Sequence, residues 1–274
     1  MDRRRFLALL PALTLAADAD AELPPALFVV HPYHTPSVLY TRFRPLTLHL
    51  SKTLGRPLGL LIAPTYERAV DMIASGQADF AYLGPTPYLQ ARDKSPIRIL
   101  AGETENGQAF YQSVLVVRAD SPIQRVADLA GKRLALGNEI SMASSVAPKL
   151  ILARAGIGRT DLAEVAHLDR HERCALAVLH GDYDVGGLRL DIAKSYLPRG
   201  LRILATSQPL PPHVVVAADK VPDEQVALAR QALLAPTPAG AEAIRALGPG
   251  IGFVAIDDSQ LLPTRRFLKL LESW

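Results

Sequence analysis

The sequence predicts an α/β protein of two similar lobes with a ligand cleft between them. Apolar runs and helix-period segments alternate in β-α-β-α-β order in each half of the chain, the first observation behind that class. The second is a local echo: "AVDMIASGQADFAY" (69–82) and "CALAVLHGDYDVGG" (174–187) both run helix, Gly, two residues, Asp, then a small buried strand. No fixed-period repeat is present, which excludes a solenoid.

Taken in order, the apolar run at 27–30 ends at His31-Pro32 and suits a buried parallel strand. Leu39, Phe43, Leu46, Leu50 and Leu54 recur at helical spacing up to Gly55, and Pro45 is expected to kink or restart that helix. A strand at 58–63, a helix at 66–74 and a strand at 79–83 complete the first unit, which ends in "GPTPY". The second unit reads as strand 133–136, helix 144–155, strand 164–167, helix 171–180 and strand 184–187. Two stretches are left to connect the lobes, 113–118 and 204–218. Helices near 224–234 and 237–247 return to the first lobe. The expected organisation is therefore a signal segment at 1–21, lobe 1 at 22–117 and 206–274, and lobe 2 at 118–205.

The 274 residues are 49% hydrophobic and 21% charged, enough to bury a sizeable core. A net charge of +3 without blocks of like charge argues against a nucleic-acid partner. Arg3, Arg4 and Arg5 precede an apolar stretch to Ala17 that is short for a membrane span, and Ala17, Ala19 and Ala21 offer cleavage after Ala19 or Ala21. The segment reads as an export signal of Tat or Sec type, so the mature protein is expected to be exported. The single cysteine, Cys174, provides no disulfide and no lipid attachment near the cleavage region. It is expected to be buried packing.

The segment "LGNEISMASSVAP" (136–148) places Ser141, Ser144 and Ser145 beside the free N–H groups of a helix start, a combination that favours an oxyanion. Met142 and Ala143 add no side-chain donors, so this cradle leans on backbone. His171, at another helix start, could donate an imidazole N–H. Asp184 could orient it or meet a cationic group, and Tyr66 and Tyr111 stand at element ends. His31 and His34 lack a carboxylate partner in the pattern, so no metal site is read there. Nucleophile elbows, Walker loops, zinc-protease and dinucleotide signatures are missing, so binding without chemistry and without a cofactor is expected.

The strings "PYHTP", "TYERAVDMIASGQADFAYLGPTPYLQA", "YQSVLVVRADSPIQRVADLAGKRLALGN", "HERCALAV", "GDYDVGG" and "PLPPHVVV" together resemble the periplasmic phosphate/phosphite/phosphonate-binding proteins of ABC importers. The likeness spans 27–268. It implies a two-lobed, hinge-closing periplasmic binding protein of type II, transferrin-like, that captures a small oxyanion as a monomer for a membrane permease. A ligand sensor serving a membrane histidine kinase is the alternative.

That family's anion loop usually reads Gly-Asp, two residues, Ser-Thr-Ser, where this chain has Gly137, Asn138, then Ser141, Met142 and Ala143. The resemblance puts Tyr66, His171 and Asp184 on ligand-binding positions, with Thr65 in place of the family's Asp. Tyr33 in "PYHTP" and Thr86 in "GPTPY" complete the candidate set.

Overall fold

The computed structural model describes residues 24–272 and 274; the signal segment expected at 1–21 lies outside them. The chain opens with β1 (Ala26–Val30), α1 (Pro36–Leu54), β2 (Leu58–Ile62), α2 (Tyr66–Ala74), β3 (Phe80–Leu83), α3 (Pro85–Lys94) and β4 (Ile97–Glu105). It continues through β5 (Ser113–Arg118), β6 (Arg133–Leu136), α4 (Ala147–Arg154), β7 (Glu164–His167), α5 (His171–His180), β8 (Val185–Arg189), α6 (Leu190–Lys194) and β9 (Leu201–Thr206). The last part is β10 (Val214–Ala218), α7 (Asp223–Leu234), α8 (Pro238–Arg245), β11 (Ile251–Val254) and α9 (Pro263–Leu270).

Two sheets result, in the orders β11-β4-β10-β3-β1-β2 and β7-β6-β8-β5-β9. Each is built alike: three parallel strands (β2-β1-β3 and β7-β6-β8) beside an antiparallel one, β10 or β5. The α/β class and the two lobes are thus as the sequence expects. Strand β5, expected as a connection closing lobe 1, instead pairs with β8 and β9 inside the second sheet. Its core residues Val114 to Val117 are fully buried, which commits it to that sheet. The chain changes sheets on either side of Tyr111 and Leu210, whose backbones exchange N–H···O bonds of 3.2 and 2.9 Å.

Helix α1 continues past Pro45 as one element, so the helix does not restart there. Its apolar stripe Leu39, Phe43, Leu46, Leu50 and Leu54 is buried on both sides of the proline. At about 1.5–3 kcal/mol per buried side chain that face outweighs one lost backbone bond. Gly55 then ends the helix in the left-handed region at φ 63°. Sequence reasoning overlooked α3, because Pro85 and Pro87 look like a turn. In a first helical turn, however, a missing N–H costs nothing.

The loops that matter lie at the carboxyl ends of the parallel strands, where open α/β sheets expose ligands to backbone N–H groups and helix starts. β1 leads into His31, β3 into Gly84 and β6 into Gly137, and β8 ends at Arg189. Across the cleft, the Asn138 amide donates to Glu67 at 3.2 Å, and the Thr35 N–H donates to Glu172 at 3.1 Å.

Candidate functional site

The anion loop is positioned from below. Ser141 caps a π-type turn, Met142–Val146, and its Oγ accepts from the Ser144 N–H (3.2 Å) and the Ser144 hydroxyl (2.8 Å). With both lone pairs engaged, the Ser141 hydroxyl proton is left to donate elsewhere. Ser113 of β5 donates to the Ala143 carbonyl at 2.5 Å and pins the loop to the sheet. Opposite it, Thr65 caps α2 by accepting from the Arg68 N–H at 3.1 Å, which sets Tyr66 as the first helical residue.

Tyr33, Tyr66, Tyr111, Ser141 and His171 converge on one enclosed cavity with His31, Gly84, Met142, Ala143, Arg189 and His213. Its free volume is about 10 Å³, room for the centre of a single water, so a larger ligand enters only when the lobes part. The Tyr66 hydroxyl is buried there without a hydrogen-bond partner. Burial pushes its phenol up, the Ser141 side chain pulling the other way. His171 Nδ1 accepts the Arg189 backbone N–H at 3.1 Å, so the ring proton sits on Nε2. Burial lowers the imidazolium of His171 to about 4, against the pull of Glu172 and Asp191, and keeps the ring neutral. Tyr66, Ser141 and His171 thus bring neutral donors together beside the Arg189 guanidinium, an arrangement suited to a desolvated anion.

Four candidates do not line this cavity. Ser144 faces Gly137, and its hydroxyl is spent on Ser141. Ser145 is buried with its Oγ unpartnered. Asp184 sits at the start of β8, whereas the site lies at its end, roughly 17 Å away at strand rise. There it accepts from the Arg133 backbone at 2.8 Å and pairs with the Arg133 side chain. Thr86 is buried with an unpartnered Oγ1 between Gly84 and Pro87, both of which line the cavity.

Sequence reasoning missed His213 and Arg189 and considered His31 only as a metal ligand. Arg189 is 3% exposed and reaches across the lobes to Glu103 at 2.8 Å, with Asp191 at 3.0 Å and Glu105 at 3.9 Å. Burial opposes its charge, but Asp191 and Glu103 hold the guanidinium firmly protonated over the Tyr111 ring. A larger cavity of about 310 Å³ opens beyond Tyr33 and Arg189, lined also by Arg42, Glu103, Glu105, Asp191 and Lys194. Arg189 pairs there with Glu103, Glu105 and Asp191, while the smaller cavity holds the convergent donors.

Cys174 is fully buried on α5, and burial pushes its thiol well above the usual range. Cys174→Ser should leave ligand affinity within roughly threefold in calorimetry, because a buried thiol of this kind fills space. A loss of binding with the fold intact would put the thiol on the ligand.

A family model described as the periplasmic substrate-binding protein of phosphonate ABC transporters matches residues 28–261. The phosphonates-binding periplasmic protein of Escherichia coli strain K12 is 29% identical over 175 residues, covering 61% of this chain and 52% of that protein. The chain thus spans about half the length of the curated relatives it matches. Among solved structures, PhnD1 from Prochlorococcus marinus in complex with methylphosphonate superposes with a TM-score of 0.83 at 17% identity, covering 91% of this chain and 99% of that one. The binding protein component of an ABC phosphonate transporter from Pseudomonas aeruginosa gives 0.79 at 21% identity, covering 89% and 85%. These likenesses carry the two-lobed fold.

Proposed function

The chain belongs to the family of periplasmic substrate-binding proteins of phosphonate ABC transporters, and from that membership we propose that it captures a small oxyanion, a phosphonate, phosphite or phosphate, for an ABC importer. The observation that carries this reading is the meeting of Ser141 and His171 from one lobe with the unpartnered Tyr66 hydroxyl of the other around one buried cavity. Donors split between lobes satisfy a ligand only on closure, which is how a receptor signals occupancy to a permease. Enzymatic turnover is not part of this reading, and neither is a cofactor. Export would follow from the signal at 1–21; among the described residues no helix is long and apolar enough to cross a membrane.

The hinge in this proposal is the pair of crossing segments at 106–112 and 207–213, joined by the Tyr111–Leu210 bridge. Lobe 2 then begins with β5, ahead of the boundary at 117–118 expected from sequence. Lobe 1 resumes with β10.

Calorimetry with phosphate, phosphite, methylphosphonate, aminoethylphosphonate, sulfate and arsenite tests the assignment. Ser141→Ala removes a donor from a desolvated charge and should weaken the preferred ligand by roughly tenfold or more. Met142→Thr, which puts a hydroxyl on a residue lining the cavity, should strengthen phosphonate binding. If no oxyanion binds the unmodified protein and Met142→Thr gains nothing, the cradle serves another ligand class.

A further inference from the structure

We propose that His31 makes this site selective for an oxyanion that still carries a proton on one oxygen, because the His31 Nε2 presents a lone pair to the cavity. The inference rests on the oxyanion reading above and deepens it. His31 Nδ1 lies 2.9 Å from the Tyr82 carbonyl oxygen, which can only accept, so the ring proton is on Nδ1 and Nε2 is an acceptor. That Nε2 has no hydrogen-bond partner among the described residues and lies beside Gly84, which lines the same cavity.

The other two imidazoles on the wall have the opposite polarity. His171 Nδ1 accepts from the Arg189 backbone, and His213 Nδ1 accepts from the Arg189 guanidinium at 3.4 Å, which leaves an N–H on Nε2 of each. Among the described residues His31 is thus the imidazole acceptor of the cavity. A fully ionised oxygen placed against it meets lone pair with lone pair. A P–OH donates to it and completes the ring of contacts.

The groups packed around His31 leave that polarity in place at neutral and mildly alkaline pH. Its ring contacts Tyr33 from its own loop, Tyr66 from α2, Tyr82 from β3 and His213 before β10. The charge of Arg189 on β8 and the ring of His171 on α5 act at longer range. Burial lowers His31 to about 4, offset in part by the Tyr82 carbonyl, and places His213 well below the usual imidazole range. Burial likewise raises the phenols of Tyr33, Tyr66 and Tyr82. None of these groups changes charge between mildly acidic and mildly alkaline pH, so a pH dependence of affinity in that range belongs to the ligand.

The test is calorimetry on the mature protein with methylphosphonate and methanesulfonate, which share a shape while only the first holds a proton near neutral pH. Methylphosphonate affinity should fall by about tenfold per pH unit above its second ionisation. Methanesulfonate should bind roughly 100-fold more weakly or worse at every pH. His31→Phe, which keeps the ring stacking and removes the lone pair, should flatten the profile and narrow the gap between the two ligands. A flat profile for the unmodified protein, or methanesulfonate binding within a few-fold of methylphosphonate, overturns the proposal even if His31→Phe does not fold. Sulfonate binding that tracks proton uptake would place the proton on His31 and overturn it equally. If neither ligand nor phosphate nor phosphite binds at any pH, the receptor reading itself falls, and this inference with it.

Discussion

Arg189→Met lowers the folding stability of the mature protein by about 3–5 kcal/mol in guanidinium unfolding, the usual loss when one partner of a buried ion pair is removed. The side chain is 4% exposed and holds Glu103, 8% exposed, at 2.8 Å. Glu103 also accepts from the Tyr82 hydroxyl inside the core. Methionine fills much of the volume but leaves that carboxylate without the guanidinium it shares with Asp191 and Glu105. Glu103→Gln added to Arg189→Met should therefore bring the protein back toward the parent, because it removes the stranded charge. Arg189 spans the two sheets, so scattering on the single variant should also show a more open average shape. A loss below about 1 kcal/mol would mean that the pair behaves as a solvated surface bridge.

Gly187→Ala should cost roughly 100-fold in affinity for the preferred oxyanion, more than Ser141→Ala, although Gly187 does not line the cavity. A Cβ at this position in β8 would lie 2.5 Å from Pro148 Cγ and 2.9 Å from the Ser144 carbonyl oxygen. Neither can yield alone: Pro148 is locked in the first turn of α4, and the Ser144 carbonyl accepts the Gly137 N–H at 2.9 Å. The Met142–Val146 turn must shift as a unit, which moves Ser141 and the backbone N–H groups together, and overpacking of this kind adds about 1–3 kcal/mol of destabilisation. Gly59→Ala in β2 is the control, since its Cβ would meet nothing nearer than 3.6 Å. Calorimetry on both variants decides the point: equal affinities would show that the turn does not rely on β8 for its position.

Asp184 shows how far local pattern reaches. Its counterpart in the echo is Asp79, and the two do the same work: Asp79 accepts from the Leu27 N–H at 2.8 Å and Asp184 from the Arg133 N–H at 2.8 Å. Each ties the start of a parallel strand, with Arg56 or Arg133 beside it. The echo that revealed two lobes thus also carried the sign that Asp184 is structural, since a residue repeated in both lobes at the same fold position points to the fold before the ligand. Tyr66, Ser141 and His171 were legible because each begins or caps a helix after a strand. That is a local arrangement, and the physics of helix starts singles it out.

The sequence by itself determined the α/β class, the pairing of similar lobes and the loop that faces the cleft. Hydrophobic period and turn residues act over a few neighbours, and short-range backbone sterics read them directly. Only the tertiary structure decided that β5 joins the second sheet, that Arg189 is buried among Glu103, Glu105 and Asp191, and that His31 and His213 face the cavity with opposite polarity. Nothing local in "VGGLRL" or "PPHVVV" marks a buried charge or a fixed tautomer. Burial, and the partner of each ring nitrogen, are set by strands far apart in the chain that meet when the two sheets pack, and there a buried polar group must take the partner the fold brings to it.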